Sequence, residues 1–221
     1  MNTKALRQKI LDLAIRGKLV PQDPNDEPAE VLLERIRKQK QQMLKEGKLK
    51  KKDIKNDTII FKGEDNLHYE KFQDGTVKCI EDEIPFEVPK GWAWARLASI
   101  CSLISDIDHK MPKAVDNGVL FLSAKDLLND GTINFTDDVK MISEDDFLRL
   151  SRKALPQKDD IIYSRIGACL GKARVVTKDI RFLVSYSCCT IRPVIIDSAF
   201  LASILDGNFV LDQAKEGTQS V

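Results

Sequence analysis

Apolar residues recur at helical spacing near the start of the chain. Leu6, Ile10, Leu13 and Gly17 follow one another in steps of 4, 3 and 4 residues, which is one face of a helix. The pattern predicts a helix from about Thr3 to Arg16, and the glycine suits its C-terminal turn.

The same steps return after a proline-rich stretch. Pro28 suits the first turn of a second helix, and Gly47 suits its end. The positions on its stripe are Leu32, Ile36, Gln39 and Met43. Both stripes are narrow, as in the seam of a coiled coil, and both are too short to be stable alone. We therefore expect residues 1–52 to form a helical arm that packs against other structure.

The pattern changes from helical to strand-like in residues 53–83, which we interpret as an acidic connector. Two short strand-like pieces, Thr58–Phe61 and Thr76–Ile80, are the only extended segments predicted here, and Asp74-Gly75 is a turn signal. His68 has no neighbouring ligand residues in sequence, so a packing role is expected for it.

Residues 84–221 have the mixed pattern of a globular domain. Apolar and polar residues alternate from Trp92 to Ser99, which predicts a strand in which the tryptophans serve the core. Further strands are predicted at Gly118–Leu122, Val139–Ile142, Asp160–Ser164, Lys172–Thr177, Phe182–Ser185 and Cys188–Arg192, and helices at Ser143–Arg152, Asp197–Leu205 and Phe209–Glu216. The expected fold class is therefore α+β, a helical arm followed by a mixed-sheet domain.

Charge is distributed locally rather than globally. The chain has 43% hydrophobic and 31% charged residues and a net charge of +1, so its total charge does not indicate a nucleic-acid partner. From Glu34 to Lys55, however, ten Lys or Arg residues face three acids, and from Ile161 to Arg192 six face one. Such runs are usually solvated surface, although they can also form a basic face.

The remaining composition excludes several classes of protein. The five cysteines are odd in number and never spaced C-x-x-C, which argues against a zinc ribbon or a disulfide framework and favours a reducing cytoplasm. No apolar run approaches the ~20 residues of a membrane span.

The segment from Ile161 to Arg174 is the most informative one. An apolar run ends in Ser164 and Arg165, and two glycines bracket a turn before Lys172 and Arg174. A strand that carries cations and backbone amides at its tip is a reasonable phosphate contact. The turn imitates a nucleotide-binding loop but is one residue short and lacks the Ser or Thr that would bind magnesium.

Catalytic motifs are otherwise weak. Asp159 and Asp160 beside Lys158 resemble a nuclease core only vaguely, because no Glu-x-Lys follows at the required place. No G-x-S-x-G motif occurs, and neither histidine has an evident nucleophile partner. The sequence therefore favours a binding protein that needs no cofactor, and a small magnesium-dependent nuclease remains an alternative.

Three segments together resemble the specificity subunit of type I restriction-modification enzymes. Residues 6–29 are similar to the helical spacer of that family, and residues 84–94 to the start of a target recognition domain. Residues 163–167 are similar to a segment near the middle of such domains. A full-length member has two recognition domains, so we expect the domain at residues 84–221 to be truncated at its C-terminal end.

The resemblance implies sequence-specific recognition of double-stranded DNA without catalysis. Each recognition domain in the family reads one half of a split site, the helices dock methyltransferase (modification) subunits, and a separate motor-nuclease subunit cleaves. The residues that we expect to contact DNA are His109, Lys110, Lys113, Lys125, Ser164, Arg165, Lys172 and Arg174. Lys113 and Lys125 have the alternative of being ordinary surface lysines.

The helical stripes allow two interpretations. Their apolar positions could form an intramolecular core, or they could meet another spacer helix or the methyltransferase subunit. The second interpretation makes partner contacts of Leu6, Ile10, Leu13, Leu32, Ile36 and Met43. A third function, a helical assembly protein that does not bind DNA, also stays open on the sequence alone.

Overall fold

The computed structural model of the chain describes residues 3–136 and 138–219. It divides the chain into two compact units, Met1–Ser102 and Leu103–Val221, called unit 1 and unit 2 below. Helices and sheets occur in both units, so the predicted α+β class is confirmed. The recognition domain is predicted to start at Ile84, which lies within unit 1. This functional boundary stays a prediction.

Unit 1 contains three helices and one sheet. The helices are α1 (Thr3–Ile15), α2 (Ala29–Lys45) and the short α3 (Leu97–Ile100), and the strands are β1 (Ile59–Lys62), β2 (His68–Lys71) and β3 (Val77–Cys79). The strands form an antiparallel sheet in the order β1-β2-β3. Short 3-10 helices lie at Lys51–Asp53 and Glu81–Glu83.

The two predicted N-terminal helices are confirmed, and their ends have local causes. Pro28 directly precedes α2, where its missing N–H is not needed. Gly47 has a φ of +71°, which lets the chain reverse so that the N–H groups of Lys48 and Leu49 both donate to the carbonyl of Met43.

The connector and the predicted strand at Trp92–Ser99 differ from expectation. β2 was not predicted, because its four residues are His, Tyr, Glu and Lys, which lack an apolar alternation. The strand through Trp92–Ser99 was wrong: residues 92–96 have no regular structure, and α3 follows. Its alternation reflects half-buried side chains in an irregular segment rather than a pleated strand.

Unit 2 has two sheets and three helices. The strands are β4 (Cys101–Ser105, of which the last three residues belong to this unit), β5 (Val119–Leu122), β6 (Met141–Ile142), β7 (Ile161–Ser164), β8 (Ala173–Val175), β9 (Phe182–Val184) and β10 (Cys188–Pro193). The helices are α4 (Glu144–Leu150), α5 (Ser198–Leu205) and α6 (Asn208–Gln219). Apart from β4, every one of these elements overlaps a predicted one.

One of the two sheets combines parallel and antiparallel pairs, which agrees with the predicted mixed-sheet domain. One has the order β4-β10-β7-β8, with β7 antiparallel to both of its neighbours. The other has the order β6-β5-β9, in which β5 and β9 run parallel. Two buried apolar clusters, one around Phe182 and one around Phe121, fill the core of the unit.

The start of α4 shows why the sequence was informative here. Ser143 accepts a hydrogen bond from the backbone N–H of Asp146, as its position before an acidic first turn predicts. Among the described residues, none of the helices combines the length and the apolar content needed to cross a membrane.

Candidate nucleic-acid interface

A polar loop follows β4 and presents cations to solvent. His109, Lys110 and Lys113 are all exposed. The loop is tied down at Pro112, whose carbonyl accepts a hydrogen bond from the ammonium of Lys140 at 2.5 Å. The exposed side chains therefore project from a backbone that is anchored on the unit.

Arg165 lies just beyond the end of β7 and reaches this loop. Its Nε donates to the carbonyl oxygen of Tyr186 at 2.9 Å, and its Nη2 donates to the carboxylate of Asp106. The same Nη2 lies 3.4 Å from Nε2 of His109. Two residues that are 56 positions apart in sequence are thus brought together.

His109 also packs flat against Tyr186. The two rings are 4.9 Å apart between centroids and inclined by 19°. The His109 side chain nevertheless stays 72% exposed, so one face of its ring is open to solvent. We call Asp106, His109, Arg165 and Tyr186 the Arg165 cluster.

The geometry of the cluster suits hydrogen bonding to the edges of DNA bases rather than simple attraction of phosphates. Asp106 neutralises much of the guanidinium charge, and Lys153 also approaches that carboxylate, at 3.4 Å. Two fixed acceptors hold Arg165 in one orientation, and its Nη1 donates to no described residue. A fixed guanidinium edge with spare donors can contact the O6 and N7 acceptors of guanine.

Three further predicted DNA-contacting lysines are exposed and unpaired. Lys110 and Lys113 lie in the loop, and Lys125 lies in a 3-10 helix at Ala124–Asp126. None of them forms an ion pair with a residue that the structure describes. Such ammonium groups are available to phosphates.

Ser164, Lys172 and Arg174 have internal roles instead. Ser164 has no exposed surface, and its hydroxyl donates to the carbonyl of Cys169. The ammonium of Lys172 donates to the carbonyl of Leu127 at 2.8 Å. Ser164 and Lys172 therefore hold the turn after β7, and contact of either residue with DNA stays a prediction.

Arg174 also has an internal role, and its contact with DNA likewise stays a prediction. It is 5% exposed, and its Nε donates to the carbonyl of Leu128 at 2.7 Å. Its Nη1 contacts Asp206 at 3.0 Å. The alternation of Ala173, Arg174 and Val175 along β8 ordinarily predicts an exposed arginine, so no local signal could have indicated this burial.

Comparison with known proteins gives two close sequence relatives, both from Escherichia coli. The type I restriction enzyme EcoAI specificity subunit is 35% identical over 160 residues, which is 72% of this chain and 23% of that protein. The type I restriction enzyme EcoEI specificity subunit is 43% identical over 105 residues, 48% of this chain and 14% of that protein. The chain is a homologue of type I restriction enzyme specificity subunits. No family model matches it.

The aligned stretches of these specificity subunits are about a quarter or less of their length. The similarity to these two proteins confirms the resemblance seen in the three sequence segments. The activities of the complete relatives are proposals for this chain.

The carboxylates of the nuclease alternative are not arranged like those of a metal site. Asp160 is 1% exposed, and both of its oxygens accept hydrogen bonds from the guanidinium of Arg192 at 2.7 Å. It also accepts from the backbone N–H of Gln157 at 2.8 Å. Asp159 is exposed at a φ of +69°, and its carboxylate forms no ion pair with a residue that the structure describes. Asp160 therefore holds the start of β7 in place.

Two cysteines of unit 2, Cys188 and Cys189, are not reactive groups. Burial raises the pKa of the Cys188 thiol to about 12 and that of Cys189 to about 11. Thiols with such values stay protonated near neutral pH and are poor nucleophiles and metal ligands. None of the five cysteines forms a disulfide.

The predicted partner-binding residues of unit 1 divide into three groups by exposure. Leu6 and Ile10 on α1 are 43% and 45% exposed. Ile36 has no exposed surface and belongs to the interior of the unit, so its predicted partner contact has no support from its position. Leu13, Leu32 and Met43 are half-buried.

Proposed function

We propose that the chain is a DNA-recognition part of a type I restriction-modification specificity subunit, which reads one half of a split double-stranded site. The similarity to two specificity subunits over up to 72% of the chain carries this proposal. The part is non-catalytic and needs no cofactor of its own. Methyl transfer and cleavage belong to separate subunits.

The Arg165 cluster supplies the base-reading element of the proposal. Phosphate contacts position a protein on a duplex, and a few side chains at base edges supply specificity. Arg165 has a fixed orientation and free donors, and His109 beside it has an open ring face. Lys110, Lys113 and Lys125 act as phosphate contacts around it.

Docking of partner subunits is assigned to α1. Its exposed residues Leu6 and Ile10 lie on one helical face, and Leu13 continues that face. An apolar stripe of this kind fits the helix of a modification subunit or a second spacer helix. The motor-nuclease subunit joins through the resulting complex.

Co-expression with the modification subunit, followed by mapping of methylated bases, tests the function. We expect methylation at one recurring bipartite sequence. Arg165→Ala should reduce discrimination between target and altered sites by about 1–3 kcal/mol, or about 5- to 150-fold. Arg149→Ala is the matched control, because Arg149 is exposed in the same unit and pairs only with Asp146.

Three outcomes would contradict the proposal. Methylation without sequence preference would show that the chain does not recognise a DNA sequence. Stable capture of the modification subunit without any effect on DNA binding would favour the helical assembly protein, for which the exposed stripe on α1 is the supporting observation. Magnesium-dependent cutting by the isolated chain would favour the nuclease.

A further inference from the structure

A second group of cations lies in unit 1, outside the Arg165 cluster. It comprises Lys45, Lys50, Lys51, Lys52 and Lys55, and we call it the lysine cluster. All five residues are exposed. None of them forms an ion pair with a residue in the described part of the chain. They begin at the C-terminal end of α2, where the helix dipole favours positive charge.

The acids in the same stretch are already engaged. Glu46 binds the ammonium of Lys48 at 2.7 Å and accepts from the side chain of Gln42 at 2.8 Å. Asp53 accepts from the backbone N–H of Lys50 at 2.7 Å. Their charges are therefore partly satisfied inside the segment, and the five ammonium groups keep a net positive field.

The segment is held in a fixed shape rather than being a solvated tail. The turn at Gly47 bonds Lys48 and Leu49 to the carbonyl of Met43, and Leu49 is only 6% exposed. A 3-10 helix then spans Lys51–Asp53. Because the backbone is anchored, binding a ligand costs less conformational entropy than ordering a free tail would.

The surroundings distinguish among possible polyanions. A protein interface has an apolar or aromatic centre and is depleted in lysine, and an amphipathic membrane-binding helix needs exposed apolar side chains. Within residues 45–55, the apolar side chains are Leu49, which is buried, and Ile54, which is half-buried. Lysines without exposed apolar neighbours are typical of nucleic-acid patches.

We propose that the lysine cluster binds the phosphate backbone of duplex DNA and adds affinity that is independent of sequence. The choice of DNA as the polyanion rests on the proposed function. The two groups of cations differ in geometry. The lysines are point charges on flexible side chains, which attract phosphates without reading bases, whereas the held guanidinium of Arg165 is suited to base edges.

The test measures binding of the full chain, in complex with its modification subunits, to target and non-target duplexes at about 50–200 mM salt. The variant is K50Q/K51Q/K52Q/K55Q. The matched control is K18Q/K71Q/K78Q/K90Q, which changes the net charge equally at exposed lysines of the same unit. Fluorescence anisotropy gives the slope of log affinity against log salt.

We expect the cluster variant to lower the magnitude of this slope by about 1 for each lysine that contacts a phosphate. Affinity should fall by the same factor for both duplexes, so that the ratio between them is unchanged. An arginine version, K50R/K51R/K52R/K55R, keeps the charge and should retain the wild-type slope, which separates charge loss from damage to the fold.

The cluster's role is overturned if the variant and the control have the same slope, or if the arginine version loses binding as the glutamine version does. It is also overturned if the variant loses affinity for phosphatidylserine vesicles while its binding to DNA stays unchanged. Failure of the proposed function would give a different result. The wild-type protein would then bind target and non-target duplexes with equal affinity, whatever the slopes of log affinity against log salt.

Discussion

The two units stabilise their interiors by different means. Unit 1 has a small apolar core, whose buried members in the described range 5–102 are Ile36, Leu49, Ile80, Ile100 and Cys101. Between them lie charged groups, with Lys40 only 1% and Glu70 only 4% exposed. Unit 2 instead contains two contiguous apolar clusters, of nine and eight buried residues. Unit 2 also has ion pairs with a buried member, Arg174 with Asp206 and Arg192 with Asp160. Because unit 1 buries fewer apolar residues, it depends on its ion pairs more heavily than unit 2 does.

The difference extends to the surface cations. Unit 2 fixes Arg165 between a carbonyl and a carboxylate, and it supports that arrangement on a packed core. Unit 1 instead leaves the lysine cluster unpaired among the described residues and fully exposed. A rigid apolar scaffold suits a group that must hold one orientation, whereas unspecific attraction needs only charge.

The largest effect is expected from the packed core of unit 2. Phe182 has no exposed surface and packs edge-to-face on Phe135, with ring centroids 5.1 Å apart. Phe182→Ala should lower the free energy of unfolding by about 3–5 kcal/mol, because it leaves a cavity as well as removing apolar contacts. Hydrogen exchange of the β7–β10 amides measures this loss.

The matched control is Phe200→Ala, because Phe200 lies in the same unit but is 52% exposed. It should change stability by well under half as much. Equal losses for the two variants would contradict the claim that the cluster around Phe182 carries the stability of unit 2.

The buried ion pair of unit 1 should have the next largest effect. The ammonium of Lys40 binds Asp57 at 2.7 Å and donates to the carbonyl of Ala98 at 2.7 Å. Lys40→Ala leaves a partly buried carboxylate without its cation and should destabilise the unit by about 3 kcal/mol. Tryptophan fluorescence follows the unfolding, since Trp92 and Trp94 both lie in unit 1.

Lys38→Ala gives the comparison for an exposed pair. Lys38 is 75% exposed and binds Glu34 one helical turn away, so its loss should cost only about 0.5 kcal/mol. If Lys38→Ala and Lys40→Ala had similar effects, ion pairing would not distinguish the interior of unit 1.

Much of the fold could be predicted because its signals are local. Gly47 and Ser143 mark helix ends through hydrogen bonds within a few residues, and the patterns before them gave α2 and β6. The irregular stretch after Trp92 could not be predicted in this way. Its half-buried side chains depend on contacts made across unit 1.

The candidate site could be predicted only in part, for the same reason. The cationic residues can be identified in the sequence, but their hydrogen-bond partners cannot. Arg165 donates to Asp106, 59 residues away, and Arg174 donates to Leu128, 46 residues away. Arg165 follows the end of β7 and is 35% exposed, whereas Arg174 lies within β8 and is buried. Only the long-range packing separates a base-reading role from a structural one.

A smaller, pH-dependent effect is expected at Glu70 in unit 1. Hydrogen bonds from Arg96 hold the pKa of Glu70 below its usual value of 4.5, against the opposing effect of burial. The ionised carboxylate therefore stabilises the fold fully above pH 4.5, and this contribution is lost as the pH falls through the lower folded value.

Glu70→Gln should cost about 1–3 kcal/mol near neutral pH and remove part of the acid sensitivity of unit 1. Urea unfolding followed by tryptophan fluorescence at several pH values measures both. Glu64→Gln, at an exposed position, is the control. A wild-type stability that does not fall below pH 4.5 would argue against the ion-pair character of this unit.

The smallest effect is expected from the ring stack in the Arg165 cluster. Tyr186→Ala removes the ring beneath His109 but keeps the backbone carbonyl that orients Arg165. Stacking of this kind contributes about 0.5–1.5 kcal/mol, so target preference should fall by about 2- to 12-fold, less than for Arg165→Ala. Tyr186→Phe keeps the ring and should behave like wild type in competition binding. If Tyr186→Phe lost as much target preference as Tyr186→Ala, the hydroxyl of Tyr186 rather than its ring stack would support the Arg165 cluster. The rigid aromatic support that we assign to unit 2 would then be contradicted.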